Sequence, residues 1–297
     1  MASTETAKGA TEERGSGPSA DGPRARKGSG AENFPVASRL LAPARRPQVM
    51  AFYAFVRLAD DIADDPALSA AHKLARLDEL EQALVAGRGA DDWRRPAATL
   101  RRVLDGCGVS DRFARDLLRA FRRDAHNRPC RDWDDLIDYC RFSAMPVGRF
   151  LMALHGEDET PGPASDALCT ALQILNHLQD CADDWRRLGR LYVPLAWLDA
   201  EGRGPNDLLA PAADAALRRV LDRVLAGVDE LLATARPLGR QMRDRRLGLE
   251  AAVIVRLAMA LRDQLYRKDP LAGRVELSKP RFLAVAAAAA LARLAGR

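Results

Sequence analysis

The stretch Tyr53-Ala54-Phe55-Val56-Arg57-Leu58-Ala59-Asp60-Asp61-Ile62-Ala63-Asp64 carries its polar chemistry at helical spacing. Tyr53, Arg57, Asp60 and Asp64 are separated by four, three and four residues, so on a helix of 3.6 residues per turn they share one stripe. The same helix reads backward through Val56, Phe55, Phe52 and Val49 to an opening at Arg46-Pro47-Gln48. Forward, it must stop at Asp65-Pro66, where proline disfavours continuation. The acidic cluster therefore sits on the last turns of a helix.

A second stretch repeats the geometry. Gln173, Asn176, Asp180 and Asp184 are spaced by three, four and four residues, again a single stripe, within Asp180-Cys181-Ala182-Asp183-Asp184 and the turns before it. A solvated acidic face is the ordinary explanation of such a run. Two features oppose it. Four carboxylates between Asp60 and Asp65 lie at a helix carboxyl end, where they work against the macrodipole at a cost of roughly 0.3–1 kcal/mol each. Both stripes also carry Tyr53, Gln173 and Asn176 among apolar neighbours, as a pocket wall does.

Outward from these segments the chain reads as helix throughout. It has 297 residues, 47% of them hydrophobic and only 5% aromatic, with Ala, Leu and Arg abundant and no period-two runs of Val, Ile, Thr or Tyr. Further helices are expected over 68–86, 97–105, 111–124, 133–142, 147–154, 165–187, 212–241 and 249–267, with an Ala-rich terminal helix over 282–294. Gly- and Pro-bearing segments separate them. Residues 1–30 lack apolar periodicity and read as a disordered tail, and residues 31–297 as one helical domain.

Charge and cysteine usage narrow the function classes. The net charge of +5 arises from 46 basic and 41 acidic residues spread through the same segments, with no basic stripe interleaved with aromatics, so nucleic acid is not the expected partner. Cys107, Cys130, Cys140, Cys169 and Cys181 form no C-x-x-C pair, which argues against a disulfide framework and a zinc site and fits a reducing cytoplasm. His72, His126, His155 and His177 show no metal-ligand spacing and are expected in surface or capping roles.

Aspartate and asparagine oxygens are hard ligands suited to Mg²⁺, which joins one or two carboxylates to substrate phosphates while keeping several waters. Two facing stripes would hold a diphosphate through such a metal cluster and make it a leaving group. The carbocation left behind needs a dry, apolar, aromatic-lined cavity. A non-catalytic helical protein that binds Mg²⁺ or a partner through its acidic faces is the alternative from another class.

These residues, with others, resemble the squalene/phytoene synthase family. The matching pieces are Phe34, Tyr53-Ala54-Phe55, Arg57, Asp60 to Asp64, Tyr139-Cys140 with Ala144 and Val147-Gly148, Gln173, Asn176, Asp180 to Asp184, and Gly189-Arg190-Leu191-Tyr192-Val193-Pro194. The resemblance implies an all-α, single-domain orthogonal bundle of the isoprenoid synthase type with a central apolar cavity. It implies Mg²⁺ ligation by Asp60, Asp64, Asn176, Asp180 and Asp184, a catalytic role for Tyr139, and substrate contacts from Phe34, Tyr53, Arg57, Gln173, Arg190 and Tyr192. Asp124 resembles a family acidic position, and an ordinary helix-end charge explains it equally well.

Within the family, Glu32-Asn33-Phe34-Pro35-Val36 and Met145-Pro146-Val147-Gly148 look like the hydroxysqualene-forming bacterial branch, with Met145 in place of that branch's Asn. The implied reaction removes the diphosphate of presqualene diphosphate, rearranges the cyclopropylcarbinyl cation and captures it with water. The alternative within the family is a head-to-head transferase making presqualene diphosphate, squalene or phytoene. The implied partners are a prenyl diphosphate, other enzymes of the same pathway, and a membrane touched peripherally from its cytoplasmic side.

Overall fold

The computed structural model describes residues 41–88 and 91–295. The expected tail, and Glu32 to Val36 with Phe34, lie outside the described residues. Twelve α-helices follow one another among the described residues, with no strand: α1 (Arg46–Asp64), α2 (Ala70–Ala86), α3 (Arg95–Cys107), α4 (Arg112–Ala125), α5 (Trp133–Ser143), α6 (Met145–His155), α7 (Gly162–Leu188), α8 (Leu195–Ala200), α9 (Ala215–Ala235), α10 (Leu238–Gln241), α11 (Arg245–Arg267) and α12 (Lys279–Leu294).

Helix α1 has Pro47 in its first turn, where a missing N–H costs nothing. It buries Val49, Phe52, Phe55, Ala59 and Ile62 against α3 and α4 and stops at Asp65, whose extended ψ of 112° is what the following proline demands. Phe55 and Ile62 are fully buried. Truncating either to Ala should cost about 2–5 kcal/mol. Helix α7 spans 27 residues, roughly 40 Å at 1.5 Å per residue, and packs on α5, α6, α9 and α11. Its Ala171, Ile174, Leu175 and Leu178 enter the core.

Several boundaries differ from the sequence reading, each for a local reason. The expected 212–241 helix is broken at Pro237 into α9 and α10, because proline lacks the N–H that would continue the ladder. Helix α11 begins earlier than residue 249, since Asp244 accepts the N–H groups of Arg246 and Leu247 as an N-cap. Helix α2 begins later than residue 68, at Ala70, with Ser69 as the N-cap that accepts the N–H of His72. The six-residue α8 is too short for periodicity to reveal it. His155 is no surface group: its side chain is fully buried and bonds Asp244 at 2.8 Å, tying α6 to α11.

Two glycines set geometry that the site depends on. A Cβ at Gly148 would stand 2.4 Å from Ser165 Oγ and 2.7 Å from Cys169 Sγ, so only glycine lets α6 lie this close to α7. Gly189 has φ +63° and closes α7 with its N–H on Trp185 O, a left-handed turn that sends Arg190 back across the helix end.

Candidate active site

A cavity of about 540 Å³ opens between α1 and α7, within the range of small-molecule sites. All eight stripe residues line it: Tyr53, Arg57, Asp60 and Asp64 from α1, and Gln173, Asn176, Asp180 and Asp184 from α7. The neighbouring acids do not. Asp61 is turned to Arg57 at 2.9 Å, and the exposed Asp183 pairs with Arg186 at 2.6 Å. The helical period thus sorts each acidic cluster into residues facing the cavity and residues facing away.

Away from the carboxylates the walls become apolar, with Val49, Phe52, Phe150, Leu168, Met242 and Ile254 among them. Phe52 and Phe150 stack with centroids 4.0 Å apart and planes 6° apart. The void therefore has an acidic part and a hydrocarbon-like part, the division that a diphosphate with an isoprenoid chain requires.

Cations are interleaved with the acids. Arg57 bonds Asp60 at 2.6 Å, and Arg190 donates to Asp64 Oδ1 at 2.6 Å and to Ala63 O at 2.8 Å. Arg190 is buried; burial opposes its charge, and the carboxylates of Asp124 and Asp64 hold it protonated well above the usual guanidinium range. Arg274, from the loop after α11, reaches within 3.6 Å of Asp180. Asp60 is pushed up to about 7, first by burial and then by the Asp64 charge, against the pull of Arg57.

Beneath Arg190 lies a buried polar cluster assembled from three distant segments. Tyr139 (α5) and Tyr192 donate to Asp124, at the end of α4, at 2.9 and 3.0 Å. The Arg190–Pro194 stretch that carries Tyr192 is pinned to the loop before α5, because Cys130 N–H bonds Leu191 O and Leu195 N–H bonds Cys130 O, both at 2.9 Å. Burial raises the Asp124 carboxyl despite Arg190 and the two phenols, and burial with the Asp124 charge lifts both tyrosines well above their ordinary range. His177 stacks on Tyr192 at 3.6 Å between centroids.

The structure thus brings together every described residue to which the sequence analysis gave a ligand, catalytic or substrate-contact role. Tyr139, Arg190 and Tyr192 also line the cavity, as do Val147 and Gly148, whereas Met145 does not. Sequence reasoning left Asp124 undecided and missed Arg274 and Glu250, a buried carboxyl on the cavity wall. An acid on the inward side of an amphipathic helix was the available signal for Asp124 and Glu250; a single arginine in a loop offers none.

Among the described residues, no group of three His, Cys, Asp or Glu side chains is disposed to hold a metal ion on its own. Asp60, Asp61 and Asp64 are drawn onto arginines. The donor set still fits a cation shared with a phosphate: oxygen ligands on two walls, and a carboxyl raised by burial and then by its neighbour's charge.

The profile of one family, squalene/phytoene synthase, matches residues 28–281. The chain belongs to the squalene/phytoene synthase family. A hydroxysqualene synthase of Rhodopseudomonas palustris is 47% identical over 85% of this chain and 85% of its own length. Those of Sinorhizobium fredii and Zymomonas mobilis are 43% and 42% identical over 88–90% of each chain. A 15-cis-phytoene synthase of a Paracoccus species is 30% identical over 84% of this chain and 83% of its own.

Among solved structures, a squalene synthase from Alicyclobacillus acidocaldarius superposes with a TM-score of 0.68 at 31% identity, covering 78% of this chain and 87% of that one. A dehydrosqualene synthase with a bound ligand gives 0.74 at 21% identity, covering 90% and 93%. The all-helical architecture is that of the isoprenoid synthases in the squalene/phytoene synthase family.

Proposed function

We propose that this protein is a hydroxysqualene synthase, which converts presqualene diphosphate and water to hydroxysqualene and diphosphate. The observation that carries the reading is the convergence of both oxygen-ligand stripes on one cavity whose remaining walls are apolar. Relatives 42–47% identical over most of the chain bear that name.

Asp60, Asp64, Asn176, Asp180 and Asp184, all on the cavity wall, would hold Mg²⁺. The ion would supply the positive charge that neutralises the leaving diphosphate. Arg57 and Arg190, each 2.6 Å from a carboxylate of this wall, stand where their guanidinium groups could also bind phosphate oxygens. Tyr53 and Gln173 bound the region where the hydrocarbon begins, and Phe52 and Phe150 keep it dry. Tyr139, its hydroxyl fixed on Asp124, presents a ring to the developing cation. By the family resemblance Phe34, which lies outside the described residues, is a further substrate contact.

Among the described residues no helix is long and apolar enough to cross a membrane. Peripheral contact with a bilayer and hand-off to other squalene-pathway enzymes follow from the apolar product. Co-sedimentation with anionic vesicles checks the former, and a protein left wholly in the supernatant sinks it.

The activity is tested by incubating the protein and Mg²⁺ separately with presqualene, farnesyl and geranylgeranyl diphosphate and identifying the lipid by mass spectrometry. Hydroxysqualene from presqualene diphosphate alone is expected. A condensation product made from farnesyl or geranylgeranyl diphosphate would overturn the reading.

A further inference from the structure

We infer that His177 is a positioning residue for water capture: it holds the Gln173 amide so that the Gln173 carbonyl oxygen faces the cavity and orients the water that quenches the carbocation. The inference rests on the activity proposed above and assigns the step that separates an alcohol product from a hydrocarbon.

The imidazole is fixed on several sides. Its ring stacks on Tyr192 at 3.6 Å with planes 18° apart and meets Tyr139 at 5.8 Å. Its Nε2 lies 3.0 Å from Gln173 Nε2, one helical turn earlier on α7. An amide nitrogen only donates, so in this contact Gln173 donates and His177 Nε2 accepts. Nδ1 faces Asp184 Oδ2 at 3.7 Å, a contact longer than a hydrogen bond. The order along the chain is therefore Asp184, His177, Gln173.

This chain of contacts determines which end of the amide is spent. With its nitrogen on His177, Gln173 turns Oε1 elsewhere; that oxygen has no protein partner among the described residues, is not sealed from solvent, and belongs to a side chain on the cavity wall. It accepts hydrogen bonds and cannot donate one. A water that donates one O–H to it keeps a lone pair free for the cavity.

A carbocation in an aromatic-lined cavity has two exits. It can lose a proton and give a hydrocarbon with one more double bond, or its empty orbital can take a lone pair. Free water is scarce in apolar surroundings and randomly turned, so capture needs one water held in place, and such positioning is worth orders of magnitude in rate. The balance is simple: a C–O bond forms from the water lone pair, the protonated alcohol passes one proton to the diphosphate released in the same turnover, and nothing is oxidised or reduced.

The test is the ratio of alcohol to hydrocarbon made from presqualene diphosphate by the full chain with Mg²⁺. His177→Phe keeps an aromatic ring against Tyr192 but removes the acceptor, and the ratio should fall at least tenfold. Gln173→Leu should cause the same fall, the double variant no further one, and His177→Gln, which restores an acceptor, should recover most of the ratio. An unchanged ratio in either His177→Phe or Gln173→Leu overturns the inference. So does complete loss of turnover in both variants when circular dichroism shows them folded, since both residues then serve ionisation rather than capture. If His177→Phe fails to fold, Gln173→Leu alone decides. A wild-type protein that makes no alcohol defeats the proposed activity itself, whereas wild-type alcohol with unshifted variant ratios defeats this inference only.

Discussion

Asp60 concentrates the electrostatics of the site. Its carboxyl, raised from 3.8 to about 7 by burial and by Asp64, keeps its proton in the folded protein over a range where the unfolded chain has lost it. Its contribution to stability is therefore full below the unfolded value and is lost as pH rises through about 7. In metal-free protein, urea denaturation of wild type against Asp60→Asn should show wild type losing ground as pH climbs across that window; parallel curves would contradict the assignment. In turnover, Asp60→Asn or Asp180→Asn should each lower kcat/KM on the order of 100-fold or more. Survival of more than half the activity in either would remove the metal role. Asp124 tests a different property: Asp124→Ala leaves the Tyr139 and Tyr192 hydroxyls buried without their acceptor, which should cost roughly 2–5 kcal/mol in chemical denaturation. The stripe residues were legible from sequence because neighbours on one helix face are fixed by the period alone. The Asp124, Tyr139 and Tyr192 cluster was not, since its members meet only after the end of α4, α5 and the 190–194 segment are packed together.

At the scale of helices, the separation of α6 from α7 decides the shape of the apolar wall. Gly148→Val should force these helices apart, lowering stability by about 1–3 kcal/mol and narrowing the cavity beside Val147. Gly106→Ala is its control, because nothing lies within 4 Å of the added methyl in α3 and the helix should gain about 0.5–1 kcal/mol. Thermal melts of the two variants should move in opposite directions; a neutral Gly148→Val would mean the helices can slide. Helix existence was readable from apolar periodicity, and the ends less so. Pro237 and the Asp244 cap are local signals that place a break and a start, which apolar periodicity alone does not register.

Across the whole molecule, α1 and α7 supply one site from segments more than a hundred residues apart in sequence, so binding should couple the two sides of the bundle. Mg²⁺ together with a non-reacting diphosphate analogue should raise the melting temperature more than the sum of either alone, because metal and phosphate complete each other's coordination. Additive shifts would indicate separate sites. That the protein is all-helical was legible from composition and period; that the two stripes face each other was a conjecture from their duplicated geometry, which only the packing of the intervening helices could settle. The reaction itself lies beyond spacing, because ionisation of a prenyl diphosphate looks the same from the carboxylates whatever becomes of the cation.

The most direct measurement follows the fate of that cation. Presqualene diphosphate turned over by the full chain with Mg²⁺ in ¹⁸O-labelled water should give an alcohol carrying one labelled oxygen for each diphosphate released. An unlabelled hydrocarbon in its place, or label appearing in the diphosphate with none in the lipid, would contradict the account.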